Sequence, residues 1–195
     1  MSSPDVAAAK RSLRRELLAR RTHRTDADRA WIAAALAQVF AAEFESRIRG
    51  GDIRPVAPLR VVALYLSFAT EPGTGPLIEW LADQRVRSLA STVLPDADLD
   101  WIEVPDGTPL GLEAITDADV ILAPALAVDL SGHRLGRGGG SYDRALTRVR
   151  PGQTVLAVVH DDEVLDAVPN EPHDRIVDGA LTPSGVRYFG TAADG

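Results

Sequence analysis

The segment RLGRGGGSYDR, residues 134–144, brings a run of glycines together with three arginines and an aspartate. Glycine lets the backbone turn successive N–H groups toward an anion, and the guanidinium groups of Arg134, Arg137 and Arg144 add charge-assisted donors. Asp143 supplies the hard carboxylate oxygens that Mg²⁺ prefers. The segment therefore predicts a phosphate site with a magnesium ion beside it. A ligand-free surface turn, with Asp143 as a helix cap, has the same composition and stays open as an alternative.

The sequence on either side of these glycines indicates how they are held. Residues 120–122 form a short apolar run, which is typical of a strand buried on both faces. Residues 142–149 have the apolar spacing of a short helix. The glycines would then precede a helix N-terminus, whose free N–H groups and positive dipole end attract phosphate. Strand, loop and helix thus favour the same anionic ligand.

The composition is that of a globular protein, with 45% hydrophobic and 25% charged residues among 195. The length predicts a single domain over residues 1–195. No apolar stretch reaches the roughly eighteen residues of a membrane helix, and the N-terminus lacks the apolar core of a secretion signal. We therefore expect a cytoplasmic protein without a membrane partner. The absence of cysteine from the sequence excludes disulfides, thiol nucleophiles and thiolate zinc sites.

Positive charge is concentrated in two segments, although the net charge is −7. Residues 1–24 contain seven basic and two acidic residues, and residues 131–150 contain five basic residues and one acidic residue. The rest of the chain has nine basic and 25 acidic residues, which argues against a nucleic-acid partner. Two basic segments in an acidic chain favour a local polyanionic ligand, while the first segment alone also fits a solvated helix face.

Several kinds of catalysis lack the residues that they need. A P-loop requires a lysine directly after its glycines and a protein kinase requires one on a strand, but the only lysine, Lys10, is near the start of the chain. The late position and spacing of the glycines do not match a dinucleotide fingerprint. The four histidines are scattered, and Ser141 is not in a G-x-S-x-G elbow. Phosphate chemistry without a nucleophilic side chain remains.

Helical and strand patterns alternate along the chain. The predicted elements are helices over residues 3–21 and 28–50, a strand over 60–66, a helix over 76–81, weaker strands over 86–94 and 100–104, an extended connection over 105–118, and strands at 120–122 and 154–159. This order predicts an α/β, Rossmann-like three-layer sandwich with a largely parallel central sheet and two helices before the first strand. Because such sheets bind ligands at the carboxyl ends of their strands, Glu71 and the loop 134–144 should lie at the same edge.

Four motifs occur in the order KRSLR at 10–14, YLSFATE at 65–71, LAPALAVD at 122–129 and RLGRGGGSYDR at 134–144. Together they resemble the 5-formyltetrahydrofolate cyclo-ligase family, also called methenyltetrahydrofolate synthetase. The resemblance implies an enzyme that uses ATP and Mg²⁺ to convert 5-formyltetrahydrofolate into 5,10-methenyltetrahydrofolate, with release of ADP and phosphate. In the family's scheme the formyl oxygen attacks the γ-phosphate, N10 closes onto the activated carbon, and phosphate leaves. The substrate is its own nucleophile, in agreement with the residue types above.

The resemblance also assigns binding roles to individual positions. The residues that match the family's ATP contacts are Lys10, Arg14, Arg134, Leu135, Gly136, Arg137, Gly138, Gly139, Gly140, Ser141 and Tyr142. The residues that match its folate contacts are Leu66, Glu71, Arg137, Gly138, Gly139, Gly140 and Ser141. Arg134 and Arg137 would neutralise charge on the transferred phosphoryl group, and a carboxylate at Glu71 would accept hydrogen bonds from the pterin ring. We expect Lys10 and Arg134 to be exposed, polar positions.

Two segments match the family's magnesium positions. Asp143 and Asp178 are the matching residues, and Asp174 competes with Asp178 because both lie in the segment HDRIVD. The family commonly has two aromatic residues before the first of these aspartates. Here Ser141 precedes Tyr142, so one contact with the folate would be missing.

The partners implied by the resemblance are ATP and 5-formyltetrahydrofolate, with or without a polyglutamate tail, bound to a monomer or weak homodimer. From the residues alone, a sugar-phosphate isomerase or a phosphometabolite-binding protein could use the same arginines for one phosphate without ATP. A regulatory nucleic-acid-binding protein could use the basic N-terminal helix, but the acidic remainder of the chain disfavours it. ATP turnover distinguishes the cyclo-ligase from the isomerase and from a passive binder.

Overall fold

The computed structural model describes residues 4–49, 58–68 and 70–190. Its helices are α1 (Pro4–Thr22), α2 (Asp26–Arg49), α3 (Gly75–Asp83) and α4 (Ser141–Ala145). Its strands are β1 (Val61–Tyr65), β2 (Arg87–Val93), β3 (Leu99–Val104), β4 (Val120–Pro124), β5 (Ala127–Asp129), β6 (Arg134–Leu135), β7 (Thr154–Val158), β8 (Val164–Leu165), β9 (Gly179–Thr182) and β10 (Gly185–Tyr188). Short 3₁₀ turns cover Leu112–Asp117, Leu146–Arg148 and Asp161–Glu163. Within these described ranges, no helix combines the length and the apolar character needed to cross a membrane.

The two helices that precede the first strand are confirmed, and the predicted cap between them is present. The Thr25 N–H donates to Asp28 Oδ2 at 2.9 Å, and the Asp28 N–H donates to Thr25 Oγ1 at 3.1 Å. This exchange satisfies two backbone donors that the start of α2 would otherwise leave without partners. The stop expected at Gly50 and Gly51 lies outside the described residues.

Seven strands form the central sheet in the order β10-β9-β7-β4-β1-β2-β3. Strands β9, β7, β4, β1 and β2 run parallel, while β10 and β3 add antiparallel strands at the two edges. Parallel strands are covered on both faces, which explains continuous apolar sequences such as VVALY in β1. The predicted α/β class with a largely parallel sheet is confirmed.

Separate apolar layers cover the two faces of the sheet. Helices α2 and α3 cover one face through residues such as Phe40 and Leu81. The 3₁₀ turn at Leu112–Asp117 and helix α4 cover the other, through Ile115 and Ala145. Helix α1 packs on a third cluster through Leu17, over β5 and β6. These layers leave the carboxyl ends of β1, β2 and β4 facing α1 and the loop after β6.

Short elements differ most from the sequence prediction. A second sheet, in the order β6-β5-β8, is not predicted, because strands of two or three residues are too short to show an alternating pattern. The β9–β10 hairpin near the C-terminus is also missed. The helix predicted over 142–149 is shorter, since α4 ends at Ala145 and continues as a 3₁₀ turn. The connection over 105–118, expected to be extended, contains the 3₁₀ turn Leu112–Asp117.

Gly132 joins the loop before β6 to the segment before β9. Its φ is +85°, and a Cβ atom added there would lie 2.4 Å from the Val177 carbonyl oxygen. Gly132→Ala should therefore lower the free energy of unfolding by about 2 kcal/mol or more, because the side chain meets both a strained φ and a backbone atom. Urea unfolding followed by circular dichroism measures the change.

Gly185→Ala is the matched control for that variant, because no atom lies within 4 Å of the Cβ it would add. We expect it to change the free energy of unfolding by less than about 1 kcal/mol. Equal losses in the two variants would contradict the structural requirement for glycine at Gly132.

Candidate active site

A cavity of about 770 Å³ opens where β1, β2 and β4 end. Carboxyl ends of parallel strands are the usual ligand-binding edge of such a sheet. The predicted site residues on its wall are Lys10, Arg14, Leu66, Glu71, Arg134, Leu135, Gly136, Arg137, Gly138, Gly139, Gly140, Ser141, Tyr142 and Asp143. The fold thus brings predicted residues from three separate motifs to one place, and their individual roles stay predictions.

Lys10 projects from α1 and is buried, with 6% of its surface exposed. Its Nζ atom donates to Glu171 Oε2 at 2.8 Å and to Asp174 Oδ2 at 2.6 Å. Burial opposes the ammonium charge, but hydrogen bonds to these two carboxylates outweigh it and raise the pKa of Lys10. The expectation of an exposed lysine is wrong, because two acids from the far end of the chain fold onto it.

Arg14 lies one helical turn beyond Lys10 and supports the glycine loop. Its Nε atom donates to the Gly136 carbonyl oxygen at 2.9 Å. Gly138 has a φ of +104°, and a Cβ atom there would lie 3.4 Å from the Arg14 Cζ atom. Gly140, with a φ of +70°, also has the left-handed backbone that favours glycine. At both positions the left-handed backbone, rather than a lack of space for a side chain, favours glycine.

Arg134 is the most enclosed arginine of the glycine-loop segment, with 6% of its surface exposed, so the expectation of an exposed position is again wrong. Its Nη2 atom donates to Asp143 Oδ1 at 2.6 Å, and its Cζ atom lies 5.9 Å from the centre of the Tyr142 ring. Its Nε donor is buried and has no hydrogen-bond partner among the described residues. A buried donor of this kind is costly unless a ligand or water satisfies it.

Arg137 and Glu71 meet at the same edge of the sheet, as predicted from the strand order. The Arg137 Nε atom donates to Glu71 Oε1 at 2.9 Å, and the Phe68 N–H donates to Glu71 Oε2 at 2.9 Å. Glu71 is mostly covered, whereas the Arg137 side chain is 44% exposed. The backbone contact fixes the carboxylate, and the exposed guanidinium is free to change partners.

Tyr142 lies in the cavity wall beside Ser91, and their hydroxyl oxygens are 3.0 Å apart. Burial raises the pKa of Tyr142 above its ordinary value. The Tyr142 ring also packs edge-on against Trp101, with ring centres 6.4 Å apart. Ser141 begins α4 beside it.

Acidic residues from two segments adjoin one another at the cavity. Glu171, His173 and Asp174 bring one potential ligand atom each within 4.8 Å of the others. Asp143 connects to this segment, since its Oδ1 atom accepts a hydrogen bond from the Arg175 N–H at 3.2 Å. Carboxylate oxygens are the ligands that Mg²⁺ takes in proteins, so these residues fit such an ion.

Asp178 lies elsewhere, and the fold does not bring it to the acidic residues at the cavity. Its Oδ2 atom accepts a hydrogen bond from the Val155 N–H at 2.7 Å, and its own N–H donates to the Val155 carbonyl oxygen at 2.9 Å. Val155 is near the amino end of β7, whereas the cavity is at the carboxyl ends of the parallel strands. Of the two competing aspartates, only Asp174 lines the cavity.

Ser91, Glu171 and Arg21 line the cavity without being predicted there. Glu171 had a signal, because it stands three residues before Asp174 in the segment EPHD. Arg21 also had one: it falls on the same stripe of α1 as Lys10 at helical spacing. Ser91 had no such signal in the sequence, because a serine in a weak strand pattern does not show whether it lies near the cavity end of the strand.

Sequence comparisons identify proteins that share these motifs. The model of the 5-formyltetrahydrofolate cyclo-ligase family matches residues 6–183. Over 143 residues the chain is 42% identical to a 5-formyltetrahydrofolate cyclo-ligase of Mycolicibacterium smegmatis, which covers 64% of this chain and 74% of the relative. Over 155 residues it is 32% identical to the 5-formyltetrahydrofolate cyclo-ligase of Escherichia coli K12, covering 68% of this chain and 82% of the relative.

Solved structures share the fold. The 5,10-methenyltetrahydrofolate synthetase of Aquifex aeolicus has a TM-score of 0.71 and 25% identity, covering 95% of this chain and 94% of that one. The 5,10-methenyltetrahydrofolate synthetase of Mycoplasma pneumoniae has a TM-score of 0.73 and 20% identity, covering 88% of this chain and 97% of that one. The second likeness, at its lower identity, concerns the fold alone.

Proposed function

The chain belongs to the 5-formyltetrahydrofolate cyclo-ligase family, and we propose that the residues around its cavity carry out that family's reaction. The enzyme is a ligase that cyclises 5-formyltetrahydrofolate to 5,10-methenyltetrahydrofolate with ATP, forming ADP and phosphate. The observation that carries the proposal is the convergence of Lys10, Arg134, Arg137 and Glu71 on one cavity. In this cavity, basic side chains that suit a triphosphate lie beside the Glu71 carboxylate, which suits a pterin ring.

In this proposal the triphosphate lies between α1 and the glycine loop. Lys10 and Arg14 approach it from α1, and the N–H groups of residues 135–142 approach it from the loop. Arg134 binds a phosphate oxygen through its buried Nε donor, which has no partner among the described residues. Because its Nη2 atom holds Asp143, Arg134 can take that oxygen without giving up the ion pair.

The reaction needs no nucleophilic side chain. The formyl oxygen attacks the γ-phosphorus while the bond to ADP breaks, and N10 then attacks the formyl carbon, loses its proton and displaces phosphate. Arg134 and Arg137 neutralise the charge on the transferred group, and most of the rate comes from positioning and electrostatics. Since Arg137 contacts Glu71 at 2.9 Å, the phosphate-binding and pterin-binding residues already adjoin each other.

The folate side of the cavity combines apolar surface with one fixed acceptor. Leu66 follows β1 with 51% of its surface exposed, and Val93, the last residue of β2, is 69% exposed. Both line the cavity and offer apolar area to a flat ring. Glu71 accepts hydrogen bonds from the ring's N–H and amino groups, while the loop residues 137–141 contact both substrates.

Asp143 and Asp174 are the residues that would hold Mg²⁺, with Glu171 beside Asp174. When bound, the ion would supply positive charge to the phosphate oxygens. The protein's own part is to hold these carboxylates in place: Arg134 pairs with Asp143, and Lys10 pairs with Asp174. The same cations that approach the triphosphate thus fix the acids beside it.

The working unit we propose is one domain over residues 1–195 that acts as a monomer or weak homodimer. Support for one domain comes from the cavity, whose wall draws on residues between Ala7 and Asp174. We also propose that it acts in the cytoplasm.

An absorbance assay for methenyltetrahydrofolate tests the function directly. Product should form only when 5-formyltetrahydrofolate, ATP and Mg²⁺ are all present, with one ADP released per product. Removing Mg²⁺ with a chelator should abolish the signal, and adding it back should restore it. A sugar-phosphate isomerase or passive binder would form no product and consume no ATP. Absence of methenyltetrahydrofolate in the complete mixture would therefore contradict the proposal.

Glu71→Gln should raise the KM for 5-formyltetrahydrofolate about tenfold or more, because a neutral amide is a weaker acceptor than a charged carboxylate. The KM for ATP should rise less, although Arg137 loses its ion pair with Glu71. Steady-state assays that vary one substrate at a time separate the two effects. Glu79→Gln, at an exposed position of α3, is the matched control, and an unchanged folate KM in Glu71→Gln would remove Glu71 from the pterin site.

A further inference from the structure

Helix α1 meets the rest of the protein along one stripe of side chains. Lys10, Arg14, Leu17 and Arg21 follow one another at spacings of four, three and four residues, which places them on the same face of a helix. Leu17 and Arg21 are each 1% exposed. The two residues proposed to contact phosphate therefore share a face with a buried arginine that the reaction does not explain.

Arg21 makes three buried hydrogen bonds through two of its guanidinium nitrogens. Its Nε atom donates to Glu163 Oε1 at 2.7 Å and its Nη2 atom donates to Glu163 Oε2 at 2.7 Å. The Nη2 atom also donates to the Ala125 carbonyl oxygen at 2.6 Å. Glu163, itself 1% exposed, accepts a further hydrogen bond from the His160 N–H at 2.9 Å. Both carboxylate oxygens of Glu163 and two nitrogens of Arg21 thus have hydrogen-bond partners.

These contacts connect α1 to two neighbouring strands of the central sheet. Ala125 directly follows β4, and Glu163 lies in the 3₁₀ turn after β7, which pairs in parallel with β4. A two-pronged arginine–carboxylate contact fixes the angle between its partners as well as their distance. Leu17 packs on the same side of α1, with Leu13 and Leu18 partly buried beside it, but apolar contacts are non-directional and do not set an angle in this way.

A small change in the tilt of α1 at the Arg21–Glu163 ion pair produces a larger displacement at Lys10, at the other end of the stripe. With a rise of about 1.5 Å per residue, Lys10 lies roughly 16 Å along the helix axis from Arg21. A tilt of about 5° at Arg21 would therefore displace Lys10 by roughly 1.4 Å. Displacements of about 1 Å are enough to weaken catalysis strongly.

We propose that Arg21 is a positioning residue, which with Glu163 sets the orientation of α1 and so places Lys10 and Arg14 on the triphosphate. The inference rests on the proposed function of those two residues. A buried ion pair adds little net stability compared with apolar side chains of similar size, because desolvation offsets the attraction between its charges. Its effect is therefore expected on ATP binding rather than on folding alone.

The test compares Arg21→Met, Glu163→Met and the double variant in the full chain. Each single variant leaves one buried charge without its partner, so both should melt at a lower temperature and bind ATP more weakly. The double variant should melt near the wild-type temperature, yet its KM for ATP should stay about tenfold raised while its folate KM changes less than about twofold. If the double variant recovered both the wild-type melting temperature and the wild-type KM for ATP, the Arg21–Glu163 pair would be merely structural. That result would overturn the proposal.

Arg21→Lys covers the case in which the double variant does not fold. Lysine keeps the charge but cannot form the two-pronged contact, so a raised ATP KM supports the proposal and a wild-type value overturns it. Arg20→Met is the matched control, because Arg20 neighbours Arg21 in α1 but forms an exposed ion pair with Glu16. Its kinetic constants should match those of the wild type.

Titration calorimetry with a non-hydrolysable ATP analogue and Mg²⁺ makes the same comparison without turnover. The double variant and Arg21→Lys should each show about a tenfold weaker Kd than the wild type. A wild-type protein that binds the analogue but forms no methenyltetrahydrofolate would contradict the proposed function, while the calorimetric comparison would still decide the role of Arg21.

Discussion

Arg134→Ala should lower kcat/KM by about a thousandfold or more, the scale on which an arginine acts in phosphoryl transfer. The side chain is enclosed, donates to Asp143 at 2.6 Å and has a buried Nε donor without a partner among the described residues. In the proposed site, its loss removes the positive charge beside the transferred phosphoryl group and leaves Asp143, a proposed magnesium ligand, without its ion-pair partner. The methenyltetrahydrofolate assay at varied ATP measures the effect.

The burial of Arg134 makes a stability control necessary. Since its side chain is 3% exposed, the alanine variant should also melt at a lower temperature. Arg24→Ala is the matched control: it removes a 2.6 Å ion pair with Asp162 outside the cavity and should keep wild-type activity. Arg134→Lys keeps the charge but not the planar group, so we expect it to recover only part of the activity. Full cyclisation rates in Arg134→Ala at subsaturating ATP would refute the phosphate role.

Lys10→Met should raise the KM for ATP about ten- to a hundredfold, which corresponds to the loss of a hydrogen bond to a charged group. Methionine retains most of the side-chain volume, so the cavity wall should persist. The variant also removes the shared partner of Glu171 and Asp174, which then repel each other beside the triphosphate. ATP binding should therefore weaken more than folate binding.

Arg15→Met provides the comparison for Lys10→Met. It removes the same charge from the same helix, but Arg15 is exposed and does not line the cavity. Its KM for ATP should stay within about twofold of the wild type, as for surface charges elsewhere. If both variants shifted the ATP KM equally, the effect would be one of overall helix charge and the specific contact of Lys10 would be disproved.

Parts of the fold with a strong local pattern follow from the sequence. Strand β1 was predictable from its apolar run, and the start of α2 from Thr25 and Asp28, because both signals act between neighbouring residues. The two-residue strand β6 was not, since its pairing with β5 depends on distant residues that no short pattern describes. The helix predicted over 142–149 ended early because its sequence continues as a 3₁₀ turn.

The same distinction between local and long-range signals applies to the candidate site. The glycine loop and its arginines could be identified from residue types, because their chemistry is local. The burial of Lys10 and Arg134 could not, since it depends on carboxylates that approach only in the folded chain. The choice between Asp174 and Asp178 also needed the fold: four residues apart in sequence, they lie toward opposite ends of the parallel strands.

By itself, the sequence determined the family, the α/β class and the inventory of groups proposed to bind phosphate, because these depend on residue types at short spacings. Only the tertiary structure decided which acid faces which cation. It paired Lys10 with Glu171 and Asp174, and it joined Arg21 to Glu163 beneath the same helix. The physical reason is that an ion pair depends on distance in space, and the strand order of the sheet brings together residues that lie far apart in the chain.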